Sequence, residues 1–239
     1  MGCKAKIGKD IMPLEVRERG VTEQTVKLPD HQKVYRKLRE MILFGELAPG
    51  QPVTIQGLVA ELEVGMTPVR EAIRRLTSEG ALVFKGNRRV SVPQPDLKQW
   101  DEIAFARMGV EPELSRKAVE NIGKDDIAQL VSLDDRVNAA IDRGDVRGYL
   151  ENNYRFHAYL YERAGADVLL SIANMLWLRA GPSLRVVLGR YGTANMPDHH
   201  AEALEALKAK DAEGVAAAIR GDIEQGIAQV REHLLAEKK

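Results

Sequence analysis

The chain has 239 residues, and its 35 basic and 35 acidic side chains give a formal net charge of zero when the histidines are neutral. A neutral total argues against a wholly basic nucleic-acid coat protein and against an acidic disordered chain. The composition, 44% hydrophobic and 29% charged, is typical of a globular chain in water, and the length suits one large domain or two small ones.

The first 28 residues are polar with scattered apolar positions, so residues 1–28 are predicted to form an N-terminal arm with little helix. The single Cys3 excludes an internal disulfide and any zinc site made of several thiolates. No apolar run approaches the roughly 18 residues that span a bilayer, and no apolar signal core follows the start. We therefore expect a cytoplasmic location and no membrane partner.

The first helix is predicted to start at Asp30, a good N-cap residue, and to end before Gly45. Its apolar positions recur at helical spacing: Val34, Leu38, Met41 and Ile42. A short second helix is predicted from about Ile55 to Leu62, with Thr54 as its cap.

The third helix is predicted to have Thr67 as its cap and Pro68 at its first position, where the missing N–H costs nothing. Its buried stripe would be Val69, Ala72, Ile73 and Leu76. Two short β-like runs, 81–84 and 89–92, then flank a Gly-Asn turn and predict a hairpin. Three helices and a hairpin within about 65 residues describe a winged helix-turn-helix.

Basic residues mark the predicted nucleic-acid face of this unit. Opposite its buried stripe the third helix presents Thr67, Arg70, Arg74 and Arg75, and the hairpin adds Lys85, Arg88 and Arg89. Arginines on a helix with an electropositive N-terminus can bridge guanine or clamp phosphate in the major groove. For the arginines taken alone, the alternative is an ordinary solvated basic face.

Pro93 and Pro95 mark a linker, because neither continues a ladder or a helix interior. After Asp96 the pattern is helical without strand-like alternation, which favours a bundle. The predicted segments lie near 97–110, 112–121, 124–143, 146–164, 167–190, 197–209 and 211–236. The predicted fold is therefore mainly α: a winged helix-turn-helix over 29–93, followed by an all-α bundle of six or seven helices over 97–236.

Three predicted bundle helices place a polar, metal-competent group on their apolar face: Asn153 and His157 on one, His200 on the next and Asp222 on the last. A buried carboxylate without a partner is costly, and a cation is one way to satisfy it. Imidazole with carboxylate and amide oxygens suits Zn²⁺, Mn²⁺, Ni²⁺ or Fe²⁺. The alternative is a set of independent, hydrogen-bonded polar groups in the core.

Residues 31–93 resemble the GntR family of bacterial transcription regulators. The resemblance rests on segments 34–42, 45–50 and 67–76 and on the run 78–82. It implies a homodimer whose two winged helices read a short palindromic operator in double-stranded DNA. The residues predicted to contact DNA are Arg70 above all, with Arg39, Gln56, Thr67, Arg74, Arg75 and Arg88.

Two departures from the family pattern bear on the operator sequence. Gly65-Met66 stands where the family usually has Ser-Arg, and Gln56 stands where an Arg is common. Gln can still read adenine in the major groove, so DNA binding is expected with an altered operator sequence.

The bundle resembles the FCD ligand-binding domain that commonly follows this type of winged helix. The resemblance implies a divalent-metal site made of an Asp four residues before a His, a second His that opens a later helix and a third His in the last helix. The matching positions here are Asn153, His157, His200 and Asp222. The segment that follows His200 selects it over the adjacent His199.

Arg107 matches the family's Arg on the first bundle helix. A buried guanidinium beside a metal would clamp a carboxylate, so the expected effector is a small organic acid. Arg179 and Arg185 are further candidates for effector contact on the helix that contains Trp177. The alternative for Arg107 is a salt bridge to Glu111 on its own helix.

The sequence therefore predicts a transcription regulator, specifically a repressor, whose operator affinity is controlled by a small organic acid bound at the metal. One alternative is a regulator that binds an acyl-type ligand without metal, against which the retention of His157 and His200 counts. Another is a metal-dependent enzyme, but the sequence contains no metalloprotease helix motif and no Gly-rich phosphate loop. We therefore expect no enzymatic activity.

The zero net charge conceals an asymmetry. Residues 1–29 carry a net charge of +2 and residues 30–93 of +3, whereas residues 94–239 carry −5. A mildly basic N-terminal part on an acidic bundle favours one docking orientation on DNA.

Overall fold

The computed structural model describes residues 30–85, 89–191 and 197–236, with side chains described over 30–85, 89–185 and 197–236. The predicted N-terminal arm and Arg88 lie outside the described residues. Within them the mainly α fold is confirmed: a winged helix-turn-helix, termed the head here, precedes an all-α bundle.

The head contains three helices and a small sheet. The helices are α1 (Asp30–Leu43), α2 (Ile55–Leu62) and α3 (Met66–Ser78), and the strands are β1 (Pro52–Val53), β2 (Val83–Lys85) and β3 (Arg89–Ser91). The strand order is β1-β3-β2 with antiparallel pairing throughout. The hairpin of β2 and β3 was predicted, whereas β1 was not, because two residues are too few to show an alternating pattern.

Local chemistry sets the ends of these helices. The Thr54 side chain accepts a hydrogen bond from the backbone N–H of Gly57 and so caps α2 as predicted. The prediction that Thr67 caps α3 is wrong, because the helix already begins at Met66 and its N-cap, Gly65, offers no side-chain acceptor. After α1 the chain turns at Gly45, whose φ of +66° favours glycine.

The bundle contains six helices within the described residues: α4 (Leu97–Ala118), α5 (Lys124–Asp142), α6 (Val146–Glu162), α7 (Asp167–Tyr191), α8 (His199–Ala209) and α9 (Ala212–Ala236). Asp96 starts α4 with a capping box, since it accepts from the Gln99 N–H at 2.8 Å while the Gln99 side chain accepts from the Asp96 N–H at 3.1 Å. The predicted break at Pro112 is wrong. Proline removes one backbone hydrogen bond, but buried neighbours such as Leu114 hold both halves of α4 in place.

Packing of these helices brings α6, α8 and α9 around one interior. The apolar cluster there includes Phe156, Leu207 and Ile219, all fully buried. The head docks on the bundle through α1 and α7, and its own apolar core takes in Tyr154 and Trp177 from the bundle. Across the described ranges, none of the helices is both long and apolar enough to cross a membrane.

Candidate metal centre and nucleic-acid face

Three ligand-competent side chains from three helices converge inside the bundle. His157 Nε2 lies 3.1 Å from Asp222 Oδ2 and 3.3 Å from His200 Nε2. The candidate ligand atoms of the three residues all lie within 4.8 Å of one another. Both histidines are buried, and Asp222 is partly buried. The sequence prediction that these residues meet agrees with this geometry.

The local sequence explains how each side chain arrives there. Asp198 caps α8 by accepting from the Ala201 N–H, and this places His200 in the first turn of that helix. On α6, His157 follows Asn153 by four residues, so both lie on the buried face. Asp222 lies between Ile219 and Ile223 on the buried side of α9.

Hydrogen bonds outside the centre fix the orientation of the His157 ring. Burial, and next the Glu111 carboxylate, raise the pKa of Tyr161 well above its ordinary value, so the Tyr161 hydroxyl keeps its proton and donates it to Glu111 at 2.8 Å. The Tyr161 oxygen must then accept from His157 Nδ1, 3.0 Å away. The Nε2 lone pair of His157 therefore points into the centre.

His200 is held in the same way. Its Nδ1 lies 2.9 Å from Asp134 Oδ1, and a carboxylate can only accept, so Nδ1 carries a proton. Burial lowers the pKa of His157 and keeps it neutral. Burial also opposes charge on His200, but Asp134 and Asp222 outweigh it and raise the pKa of His200.

Asp222 completes a negatively charged centre. Burial disfavours its carboxylate, yet the nearby His157, His200 and Arg107 hold the pKa of Asp222 far below its ordinary value. Two Nε2 atoms 3.3 Å apart and an ionised carboxylate form a concave set of donors to a cation. A divalent metal fits this chemistry, because paired imidazole and carboxylate ligands with an outer carboxylate on one ring are a common metal arrangement.

Asn153 supplies an independent indication of a cation. Its Oδ1 atom is buried and has no hydrogen-bond partner among the described residues. Asn153 and Asp222 line the same cavity of about 40 Å³, together with Arg107 and Tyr149. An unpaired buried carbonyl oxygen costs about 1–3 kcal/mol. Coordination of a cation beside Asp222 would remove that cost.

Arg107 is already engaged by a carboxylate of its own helix. Its Nε lies 2.5 Å from Glu111 Oε1 and its Nη2 lies 3.1 Å from Glu111 Oε2, with both side chains buried. The salt bridge that was the alternative for Arg107 is therefore present. No hydrogen bond to Glu111 involves Nη1, and Arg107 also lines the cavity, so contact with an effector remains a prediction.

The prediction that Arg179 and Arg185 contact the effector does not agree with their positions. The Arg185 guanidinium donates to the carbonyl oxygen of Gly45, and the Arg179 guanidinium lies against Gly80. Gly45 and Gly80 belong to the head. The helical period placed both arginines on α7 but did not reveal that this side of α7 faces the head.

The predicted DNA-contacting residues of α2 and α3 are all exposed, but they differ in what else they contact. Gln56 lies on α2, and Thr67, Arg70, Arg74 and Arg75 lie on α3; Arg74 pairs with Glu71 at 2.8 Å. The Arg75 guanidinium stacks on the Tyr35 ring at 3.9 Å and bonds to Glu79 at 3.0 Å.

Arg39, which was predicted to contact DNA, is bonded to the bundle instead. Its Nη2 atom donates to the Tyr154 hydroxyl at 2.9 Å and approaches Asn174 Oδ1 at 3.4 Å. Both acceptors belong to the bundle, so the DNA-contact prediction for Arg39 is corrected to a contact between head and bundle. Arg39 lies within the family-like segment 34–42, and that segment gave no indication that the side chain contacts the bundle.

Sequence reasoning missed four residues that support the centre: Glu111, Asp134, Tyr161 and Trp177. Asp134 follows Leu133 on the buried stripe of α5, so the same search that found Asp222 could have found it. Glu111 was considered only as a partner of Arg107. Nothing in the spacing of Tyr161 or Trp177 distinguishes them from ordinary core aromatics.

Comparison with known proteins gives the same division of the chain. The gntR family of bacterial regulatory proteins matches residues 31–92, and the FCD domain matches residues 102–225. The HTH-type transcriptional regulator McbR of Escherichia coli is 32% identical over 199 residues, which cover 82% of this chain and 90% of McbR. The HTH-type transcriptional repressor RspR of Escherichia coli is 26% identical over 211 residues, 85% of this chain and 91% of RspR.

Solved structures show the same likeness. The structure of Escherichia coli McbR/YncC has a TM-score of 0.80 at 30% identity, over 86% of this chain and 99% of that chain. A putative GntR regulator from Rhodococcus sp. RHA1 shares the fold, with a TM-score of 0.68 at 20% identity over 84% of this chain and 96% of its own.

Proposed function

The chain belongs to the gntR family of bacterial regulatory proteins and carries an FCD domain, and from this premise we propose that it is a metal-dependent repressor that binds its operator as a homodimer. Its family and relatives are transcriptional regulators, so it is a DNA-binding regulator and not an enzyme. Repression is the stated activity of the relative RspR, and this name supports the same direction of control here. We expect it to act in the cytoplasm.

The observation that carries the metal proposal is the approach of two imidazole Nε2 atoms to 3.3 Å beside the Asp222 carboxylate. Without a cation or a proton between them, two imidazole lone pairs at that distance repel. A divalent ion would be held by His157, His200 and Asp222, with Asn153 Oδ1 as a fourth donor. Zn²⁺, Ni²⁺, Mn²⁺ and Fe²⁺ all suit nitrogen and oxygen donors of this type.

The effector proposed for this site is a small organic acid. When bound, the metal supplies a Lewis-acidic position for a carboxylate oxygen, and Arg107 supplies its remaining N–H groups from the wall of the cavity. The cavity of about 40 Å³ has room for only a few water molecules. Entry of an acid therefore requires the bundle helices to move, and such a movement is what a regulatory site needs. The Arg107 guanidinium in its wall favours an acid over an acyl chain.

The DNA-binding proposal rests on the N-terminal end of α3. Thr67 and Arg70 are exposed there, and Gln56 is exposed on the preceding helix α2. In a winged helix-turn-helix these positions meet base edges, while wing residues meet the phosphate backbone. A homodimer would place two such helices on the two halves of a palindrome.

One pair of variants tests the metal site. Purified without a histidine tag, the protein is expected to hold about one divalent ion per chain by elemental analysis. His200→Ala should lose it, because Nε2 is a ligand. His199→Ala is the matched control, since His199 bonds to Glu202 outside the centre and should leave the metal content unchanged. Absence of metal from the wild type, even after soaking with Zn²⁺ or Mn²⁺, would contradict the proposal.

A separate measurement tests operator binding. A random double-stranded library selected with the full-length protein is expected to yield a palindromic sequence, and fluorescence polarisation then measures the affinity for it. Selection of no sequence above the random background would contradict the reading of α3, whatever the metal content.

A further inference from the structure

Trp177 forms a wall of the candidate metal centre. The centroid of its ring system lies 5.2 Å from that of the His157 ring, and its indole N–H donates to Glu111 Oε2 at 3.0 Å. The Arg107 guanidinium lies over the indole at 4.6 Å. Trp177 therefore touches a proposed metal ligand and the proposed effector-binding arginine at the same time. A change at either one must move Trp177 or strain its contacts.

The same tryptophan also reaches the head through Tyr154. The Tyr154 ring meets Trp177 edge-on with centroids 5.4 Å apart, and it meets Phe44 of the head at 6.1 Å. Arg39 of α1 donates to the Tyr154 hydroxyl at 2.9 Å. Tyr154 and Trp177, termed the ring pair here, pack into the apolar core of the head although both residues belong to the bundle.

The head is held closely enough for such a movement to be transmitted. A Cβ placed on Gly181 of α7 would lie 2.8 Å from the carbonyl oxygen of Leu43, so the two backbones are in direct contact. One turn later, Arg185 donates to the carbonyl oxygen of Gly45. Closely packed elements shift between discrete arrangements instead of deforming gradually. A displaced ring pair therefore requires α1 to reposition.

We propose that the ring pair, with Arg39 bonded to its hydroxyl, is the positioning element through which occupancy of the metal centre sets the orientation of the head. The proposal rests on the proposed function, because it concerns the regulation of that same site. It assigns Arg39 a role in signal transfer in place of DNA contact. Both rings are buried, and neither residue belongs to the candidate metal centre.

Tyr154→Phe is the direct test, because it keeps the ring and removes only the hydroxyl that Arg39 bonds. Arg39→Met removes the other partner and keeps an apolar stem. Tyr159→Phe is the matched control: Tyr159 lies on the same helix, but its hydroxyl bonds to Asp126, away from the head. The probes are Zn²⁺ alone and the DNA duplex that the wild-type protein selects from a random library.

The measured quantity is the ratio of DNA dissociation constants with and without Zn²⁺. A ratio of at least about fivefold is expected for the wild type and for Tyr159→Phe, which is the lower end of ordinary allosteric coupling. The ratio should fall below about twofold in Tyr154→Phe and Arg39→Met, with Zn²⁺ stoichiometry unchanged. Their double variant should change the ratio by less than the two single changes combined, because both remove the same bond.

A second readout keeps the test independent of DNA. Hydrogen exchange of the amides of α1 should change when Zn²⁺ is added to the wild type and should not change in Tyr154→Phe. A wild-type ratio retained in Tyr154→Phe and Arg39→Met overturns the proposal. Bound Zn²⁺ with no effect on DNA affinity or on exchange in the wild type also overturns it but leaves the metal site standing. Failure to bind Zn²⁺ removes the metal site and the coupling together.

Discussion

Glu111→Gln is expected to be among the most destabilising near-isosteric changes in this chain. The carboxylate is fully buried and accepts four hydrogen bonds, two from Arg107 and one each from Tyr161 and Trp177. Three of these donors converge on Oε2 and the fourth on Oε1. A glutamine whose carbonyl oxygen takes the Oε2 position directs its side-chain NH₂ group at Arg107 Nε, which is also a donor. In the opposite orientation the NH₂ group faces the three donors that meet at the Oε2 position.

The magnitude follows from the charge left behind. In either orientation the guanidinium of Arg107 remains buried without its counter-ion, and breaking a buried ion pair from one side costs about 3–5 kcal/mol. A chain of this size loses roughly 2–4 °C of melting temperature per kcal/mol. We therefore expect the melting temperature of Glu111→Gln, measured by calorimetry or circular dichroism, to fall by about 10 °C.

Glu113→Gln is the matched control for this prediction. Glu113 lies two residues further along α4 and pairs with Arg116 and Lys117 at the surface, where such pairs contribute at most about 1 kcal/mol. Its melting temperature should stay within about 3 °C of the wild type. Equal shifts for Glu111→Gln and Glu113→Gln would refute the argument that the buried carboxylate compensates Arg107.

Three further predictions concern the contact between head and bundle, DNA binding by the head, and stability in acid. Gly181→Ala should lower the free energy of unfolding by about 1–2 kcal/mol, because its Cβ meets the Leu43 carbonyl. Gly109→Ala, with nothing within 4 Å of its Cβ, should raise the free energy of unfolding by about 0.5–1 kcal/mol. Stabilisation by both substitutions would contradict the close contact at Gly181. Arg70→Ala should weaken binding of the selected duplex by about 10–100-fold in polarisation assays, and Arg75→Ala, which removes a contact to Tyr35, by less than about threefold; equal losses would argue against this division. Burial opposes ionisation of Asp126, but the Gly123 N–H, Arg163 and Tyr159 outweigh burial and lower the pKa of Asp126 below its ordinary value of 3.8. The ionised carboxylate therefore stabilises the fold above that pH, and this contribution is lost as the pH falls through the folded-state pKa. The difference in melting temperature between wild type and Asp126→Asn should accordingly shrink below about pH 4, and a constant difference from pH 7 to pH 2.5 would contradict this.

The helical period pointed to the candidate metal centre because its residues interrupt apolar stripes, and the family resemblance then selected the set. Asn153, His157 and Asp222 were recognisable for this reason: a polar group at a position that must be buried needs a partner. The period could not show which side of a surface helix faces a second domain. Arg39 and Arg185 fall on such sides, and their partners, 115 and 140 residues away, lie in the other half of the chain. Their roles depend on how the two units pack, and no local pattern contains that information.

Asp222 stands where the family resemblance implies a histidine, and this difference changes the charge of the whole centre. With neutral histidines, the buried groups around it are the carboxylates of Glu111, Asp134 and Asp222 and the guanidinium of Arg107, so two negative charges are left in excess. A divalent ion would neutralise that excess. Arg107 and Asp222 line the same cavity, so under the proposed function effector contact would be linked to metal occupancy. An acid bound at such a neutral centre would add a negative charge, and because buried charges interact strongly it would compete with Glu111 for the Arg107 guanidinium. Glu111 also accepts from the indole N–H of Trp177, so under the coupling proposal the ring pair would register that change.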